Sequence, residues 1–305
     1  MLPSKQGGDM NRVGGWIGAV LLGLSLLATP MARAEVVGQD VVTKVIERAD
    51  KGDVAAQALL GLAYFFGDNV PRDTKQALAW FRKAAEQGDA ESQFNLGVMY
   101  NNGNGVTQNH KLAADWFLKA AKQGHMNSQA NIGLMYANGD GVTKDDKLAV
   151  KWLSKAAKQG DPLAQGNLAV KYFSGLGVTQ NYQQAEQWWL KAAQQGDVGS
   201  QLVLGAMYSQ DSEFTKNYKQ AMHWYRKAAE QGSPEAQHNM AAMYFDGRGI
   251  PQDYVQAYAW FSVAAANGVE MSPPERDKAA KRLTPDQLAK GQELAASYFE
   301  KYQPK

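Results

Sequence analysis

The chain contains no cysteine. Disulfides, thiol nucleophiles, thiolate metal sites and a lipid-modified amino-terminal cysteine are all excluded with it. Histidine is scarce too, at four residues. His110, His125, His223 and His238 stand at unrelated positions, with no acidic residue at a metal-ligand spacing. They read as solvated polar positions, and neither a metal site nor a cofactor is expected. Catalytic signatures are also missing: there is no His-Glu-x-x-His, no Gly-x-Ser-x-Gly and no phosphate-binding loop. An enzyme would need a nucleophile or a cluster of acids that this sequence does not offer, so no catalytic residue is assigned.

Apolar runs of membrane length are confined to the start. Lys5 and Arg12 precede an uncharged stretch from Val13 to Ala32, which ends in Ala32-Arg33-Ala34. That small-x-small pattern marks a secretory cleavage site, so residues 1–34 are expected to be a signal peptide cleaved after Ala34, making the protein periplasmic or secreted. The alternative is an uncleaved anchor, because about 20 uncharged residues just span a bilayer. Membrane contact is expected through such a segment alone. Met10 is an alternative start that gives a basic region of more usual length.

Charge of one sign is lacking as well. From Glu35 onward the chain has 29 basic and 29 acidic residues. A neutral chain is poorly suited to a phosphate backbone, so nucleic acid is not expected as a partner.

What the sequence has is a period. Gly52, Gly88, Gly124, Gly160, Gly196, Gly232 and Gly268 are each 36 residues apart, most closing a KAAxQG hexapeptide. Six units follow: 53–88, 89–124, 125–160, 161–196, 197–232 and 233–268. A fixed period of this length is the signature of a stacked solenoid. With each unit numbered 1 to 36, column 1 (Asp53, Asp89, His125, Asp161, Asp197, Ser233) and column 21 (Asp73, Asn109, Asp145, Asn181, Asn217, Asp253) hold helix-capping residues. Glycines at columns 15 and 17, such as Gly139 and Gly141, mark a turn needing positive φ. The column 36 glycine ends a second helix. Each unit is therefore a helical hairpin, and the fold class is all-α.

Column 8 is Leu60, Leu96, Ile132, Leu168, Leu204 and Met240, column 12 is tyrosine and column 28 tryptophan throughout. Helical spacing puts these on buried faces. Tyr100, Tyr136, Tyr172, Trp116, Trp152, Trp188 and Trp224 are thus assigned to the core rather than to a cofactor site. The many Lys and Glu of the second helices read as a solvated face.

Leu-Gly-x-x-Tyr, Gly-x-Gly-Val, Ala-x-x-Trp and Lys-Ala-Ala-x-x-Gly, in register over 53–268, resemble Sel-one-like repeats, which are relatives of the tetratricopeptide repeat. The resemblance implies a right-handed α-solenoid whose first helices line a concave groove that binds another protein or peptide. It places column 7 and columns 3, 6, 10, 13 and 14 on that wall. Asn95, Asn131, Asn167 and Asn239 of column 7 would hold a bound backbone, or else bond within or between the hairpins. Phe65, Phe94, Phe173 and Phe245 would supply apolar contacts. The expected protein is an exported monomeric scaffold or adaptor with no cofactor. Two other readings stay open: a cell-envelope enzyme or β-lactam or peptidoglycan binder, to which some exported relatives have been linked, and a secreted factor engaging host proteins.

Unit 5 departs from the pattern, since Asp211 and Glu213 replace both turn glycines. Its loop is expected to be built differently, because glutamate disfavours positive φ. Open solenoid ends need caps. Residues 35–52 read as an N-terminal capping helix. Residues 269–305 read as C-terminal capping helices, opened by Ser272 and Thr284 before proline, with a docking surface as a second reading of this tail.

Overall fold

The computed structural model describes residues 42–210 and 215–303; the expected signal peptide lies outside them. A helix over 42–50 (α1) is followed by six hairpins. These are Val54–Phe66 (α2) with Thr74–Glu86 (α3), Ala90–Asn102 (α4) with His110–Lys122 (α5), and Met126–Asn138 (α6) with Asp146–Lys158 (α7). They continue as Pro162–Ser174 (α8) with Tyr182–Gln194 (α9), Val198–Ser209 (α10) with Tyr218–Glu230 (α11), and Pro234–Asp246 (α12) with Tyr254–Ala266 (α13). Ser272–Ala280 (α14) and Pro285–Lys301 (α15) close the chain. Each second helix packs on the next first helix, and the first helices of adjoining units also touch, α2 with α4 and α10 with α12. The first helices therefore form the inner wall of an all-α solenoid.

The capping columns do what their chemistry allows. Every column 1 and column 21 side chain accepts a backbone N–H of the helix it opens, His125 included, through Nδ1 from Ser128. The column 17 glycine is needed twice over. Gly141 has φ 69, and a Cβ there would lie 2.2 Å from the carbonyl carbon of His110 in the preceding unit. Unit 1 holds Asn69 at that position with φ 57, a conformation asparagine tolerates.

Unit 5 differs at the point where the glycines are missing: α10 stops at Ser209 and Gln210 is extended, with φ −122. Residues 211–214 lie outside the described residues. The hairpin nonetheless closes as in the other units, with Asn217 N–H donating to Tyr208 C=O at 2.8 Å. Closure rests on this bond between columns 21 and 12, which recurs in all six units.

The aromatic columns divide differently from the expectation. Trp152 and Trp224 are buried and so is Tyr100, but Trp116, Trp188, Tyr136 and Tyr172 are half-buried against the core. More deeply buried than column 28 is the next position, column 29: Phe81, Phe117, Leu153, Trp189, Tyr225 and Phe261. They face column 9, where a Cβ on Gly97 would lie 2.5 Å from the Phe117 ring. A small residue on one helix lets the neighbouring ring fill the interface.

Between units runs a ladder of side-chain amides. Column 5 is glutamine in every unit, and all six are buried. Gln129 Nε2 donates to Ala121 C=O of the preceding unit at 3.1 Å, and its Oε1 accepts from Gln159 Nε2 at 2.8 Å. Gln159 also reaches back to Gly124 C=O. The same pattern repeats from Gln57 to Gln237. Each amide is satisfied at both ends, as burial requires.

The inner wall as candidate functional site

The inner wall is built from columns 3, 6, 7, 10, 13 and 14 of the first helices. Helical spacing sets these side by side, since residues three or four apart share a face. None of these positions holds Lys or Arg in any unit; the only carboxylates are Glu91, Glu235 and Asp246. Most of the exposed large apolar side chains of the described residues gather here. Leu59 and Phe66 lie on α2, and Leu163, Val170 and Phe173 on α8, with Leu163 half exposed at 51%. Asn167 sits between Leu163 and Val170, so α8 presents an apolar stripe interrupted by one amide.

The predicted site residues take distinct roles along this wall. Asn131 and Asn167 each donate from Nδ2 to the carbonyl four residues back, Asn127 and Leu163, both at 2.8 Å. These are within-helix bonds, and each side chain keeps an oxygen that accepts none of the described hydrogen bonds. Asn95 differs: its Nδ2 is buried with no partner among the described residues. Asn239 borders a cavity of about 190 Å3 with Ser209, Tyr225 and Arg248. Phe65 packs edge-on against Phe66. Phe94 is half-buried between Phe117 and His125, and Phe173 lies against Tyr182 and Trp189 while staying 40% exposed. Phe245 contacts Tyr254 and, with His238, Phe261 and Met271, borders a second cavity of about 260 Å3 beside α14.

Two of the four histidines, His125 and His238, are not the solvated positions the sequence suggested. His125 Nε2 donates to Glu91 Oε2 at 3.1 Å while Nδ1 caps α6, and this bond holds the Glu91 carboxyl below the usual range. His238 Nδ1 lies 2.9 Å from Ser272 Oγ, and burial lowers its pKa against the opposing pull of Glu275. Ser272 therefore does not cap α14, as its place before proline had suggested: α14 has no side-chain cap, whereas Thr284 opens α15 with a full capping box. The other two are exposed as expected, His110 bonded to Asn101 Oδ1 and His223 edge-on to the Trp224 ring. Among the described residues no group of three or more His, Cys, Asp or Glu could hold a metal ion, and no helix is long and apolar enough to cross a membrane.

Repeats built this way have relatives. The Sel1 repeat matches residues 54–89, 90–125, 127–161, 162–197, 199–233 and 234–269. The chain belongs to the Sel1 repeat family. A Sel1 repeat protein from Oxalobacter formigenes is 31% identical over 77% of this chain and 96% of its own, with a TM-score of 0.68. The Escherichia coli protein c5321, described as a protective antigen of uropathogenic strains with an SLR fold, is 25% identical over 89% of this chain and 93% of its own. Its TM-score is 0.30. No curated protein matches the sequence. Sel1 repeat proteins are in general non-catalytic protein–protein interaction scaffolds.

Proposed function

We propose that this protein is a scaffold that binds a segment of a partner protein along its inner wall, centred on α8. The observation that supports it is the apolar stripe of Leu163, Val170 and Phe173 around Asn167, on a wall without cations. Exposed apolar surface ringed by amides suits an extended or helical peptide. Asn131 and Asn167 would hold the peptide backbone, since a carboxamide both donates and accepts. The same proposal includes export through residues 1–34 to the periplasm or beyond, a monomer, and no catalysis.

The test is affinity capture with the full chain from extracts of the cell envelope, compared with an Asn131→Ala, Asn167→Ala variant and a Leu163→Glu, Phe173→Glu variant. A partner held by the natural protein and lost by both variants, with circular dichroism unchanged, is the expected result. A partner held equally by all three would remove the inner wall from consideration. Sequencing the amino terminus of the extracted protein checks export, with Glu35 as the expected first residue.

A further inference from the structure

The near-zero net charge conceals a segregation. The second helices of the six units carry fourteen Lys and Arg against five Asp and Glu, whereas the first helices carry one Lys against three acids. That single lysine, Lys171, is buried and paired with Asp146 at 2.7 Å, which removes one of the five acids from the outer face. None of the fourteen cations is ion-paired among the described residues. Their contacts are of another kind: in five units the column 31 lysine lies over the column 28 tryptophan ring, as Lys119 does at 3.8 Å from Trp116. The density peaks on α7. Lys147, Lys151, Lys155 and Lys158 are exposed and spaced by four, four and three residues, so they form one stripe about 17 Å long. Lys119 and Lys122 continue the patch on α5.

We propose that this outer face, centred on α5 and α7, docks an acidic segment of a partner polypeptide. The proposal rests on the scaffold reading for the class of partner but concerns the opposite wall, so variants of the two walls fail separately. A surface of unpaired like charges is strained by its own repulsion and gains by meeting carboxylates. The cations are lysines in all but two positions, flexible point charges that suit carboxylates in no fixed register rather than bidentate phosphate recognition. A nucleic acid would want open aromatic faces, and the column 28 rings are already occupied by lysine. A lipid surface would want an apolar anchor beside the charges, and on α5 and α7 the exposed large apolar side chains amount to Leu112.

The experiment is fluorescence anisotropy of labelled poly-L-glutamate with the full chain, from about 50 to about 200 mM salt. Vesicles containing an anionic lipid serve as a second probe. Polyglutamate is expected to bind, and to bind more weakly as salt rises. Lys151→Glu, Lys155→Glu, Lys158→Glu should weaken binding at least about tenfold, and the matching Lys→Gln triple by less. Lys281→Glu, Arg282→Glu, Lys290→Glu in the tail should change it by less than about twofold. Circular dichroism verifies that each variant folds, and the Lys→Gln triple keeps the test valid if the reversed charges do not. Absent binding at low salt, or equal loss in the tail control, overturns the proposal. So does vesicle binding that needs the three lysines while polyglutamate does not bind.

Discussion

Helices α7 and α13 occupy the same place in units 3 and 6, yet α7 carries four lysines and α13 has no charged residue at all. The difference lies in what covers them. Over α13 the tail helix α15 folds back: Tyr298 stacks on Trp260 at 4.5 Å and Tyr302 at 5.4 Å. Val263 stands at column 31, where the other five units have lysine, and it is 1% exposed. Gln237, the last rung of the buried ladder, donates to Tyr302 C=O at 2.9 Å as well as to the preceding unit. In α7 the same ring, Trp152, is covered by Lys155 at 4.7 Å, a side chain that is itself exposed. Residue type at this outer column thus follows the cover, valine beneath α15 and lysine where the side chain is exposed.

The strongest way to break the comparison is to exchange the two columns. Val263→Lys places an unpaired charge beneath α15 and should cost about 3 kcal/mol or release that helix. Urea denaturation and hydrogen exchange in 285–301 would show which. Lys155→Val in α7 should shift stability by less than about 0.5 kcal/mol, so equal effects at both sites would contradict the covering role of α15.

A smaller effect is expected from the ladder that both regions share. Gln129→Ala removes one of the two bonds made by the Ala121 carbonyl and by Gln159 Nε2, each of which keeps its bond to Gly124, and should cost about 1 kcal/mol, read from the denaturation midpoint.

The smallest effect is a pH dependence at the covered end. Burial depresses the pKa of His238, so the unfolded chain binds more protons in the window below about pH 6.5. Stability contributed by the neutral ring is present above that value and is lost as pH falls. His223 is depressed in the same direction, also by burial first. The melting temperature should drop between about pH 7.5 and about pH 5.5. The drop should be smaller in His238→Gln, and an unchanged slope would remove this residue as a cause.

Identity in every unit points to column 28, but column 29, where Phe, Leu, Trp and Tyr interchange, is the more deeply buried of the two. What admits these large side chains is the small residue, Gly or Ala, at the facing column 9. Column 5 was legible as a glutamine in all six units, a residue type that surface helices often carry. Its burial depended on carbonyls 8 residues back and an amide 30 residues ahead. Of the proposed inner wall, the apolar and amide positions could be named from the repeat, but not which amides were already bonded within their own helix.

The sequence by itself determined the period, the caps, the turn glycines and the hairpin, because each is local chemistry repeated in register. The tertiary structure decided which of two adjacent aromatic columns is core, which amide column joins the units, and which outer face is left open. Those outcomes depend on contacts between residues tens of positions apart, as when Tyr302 covers Trp260, and no single repeat contains them.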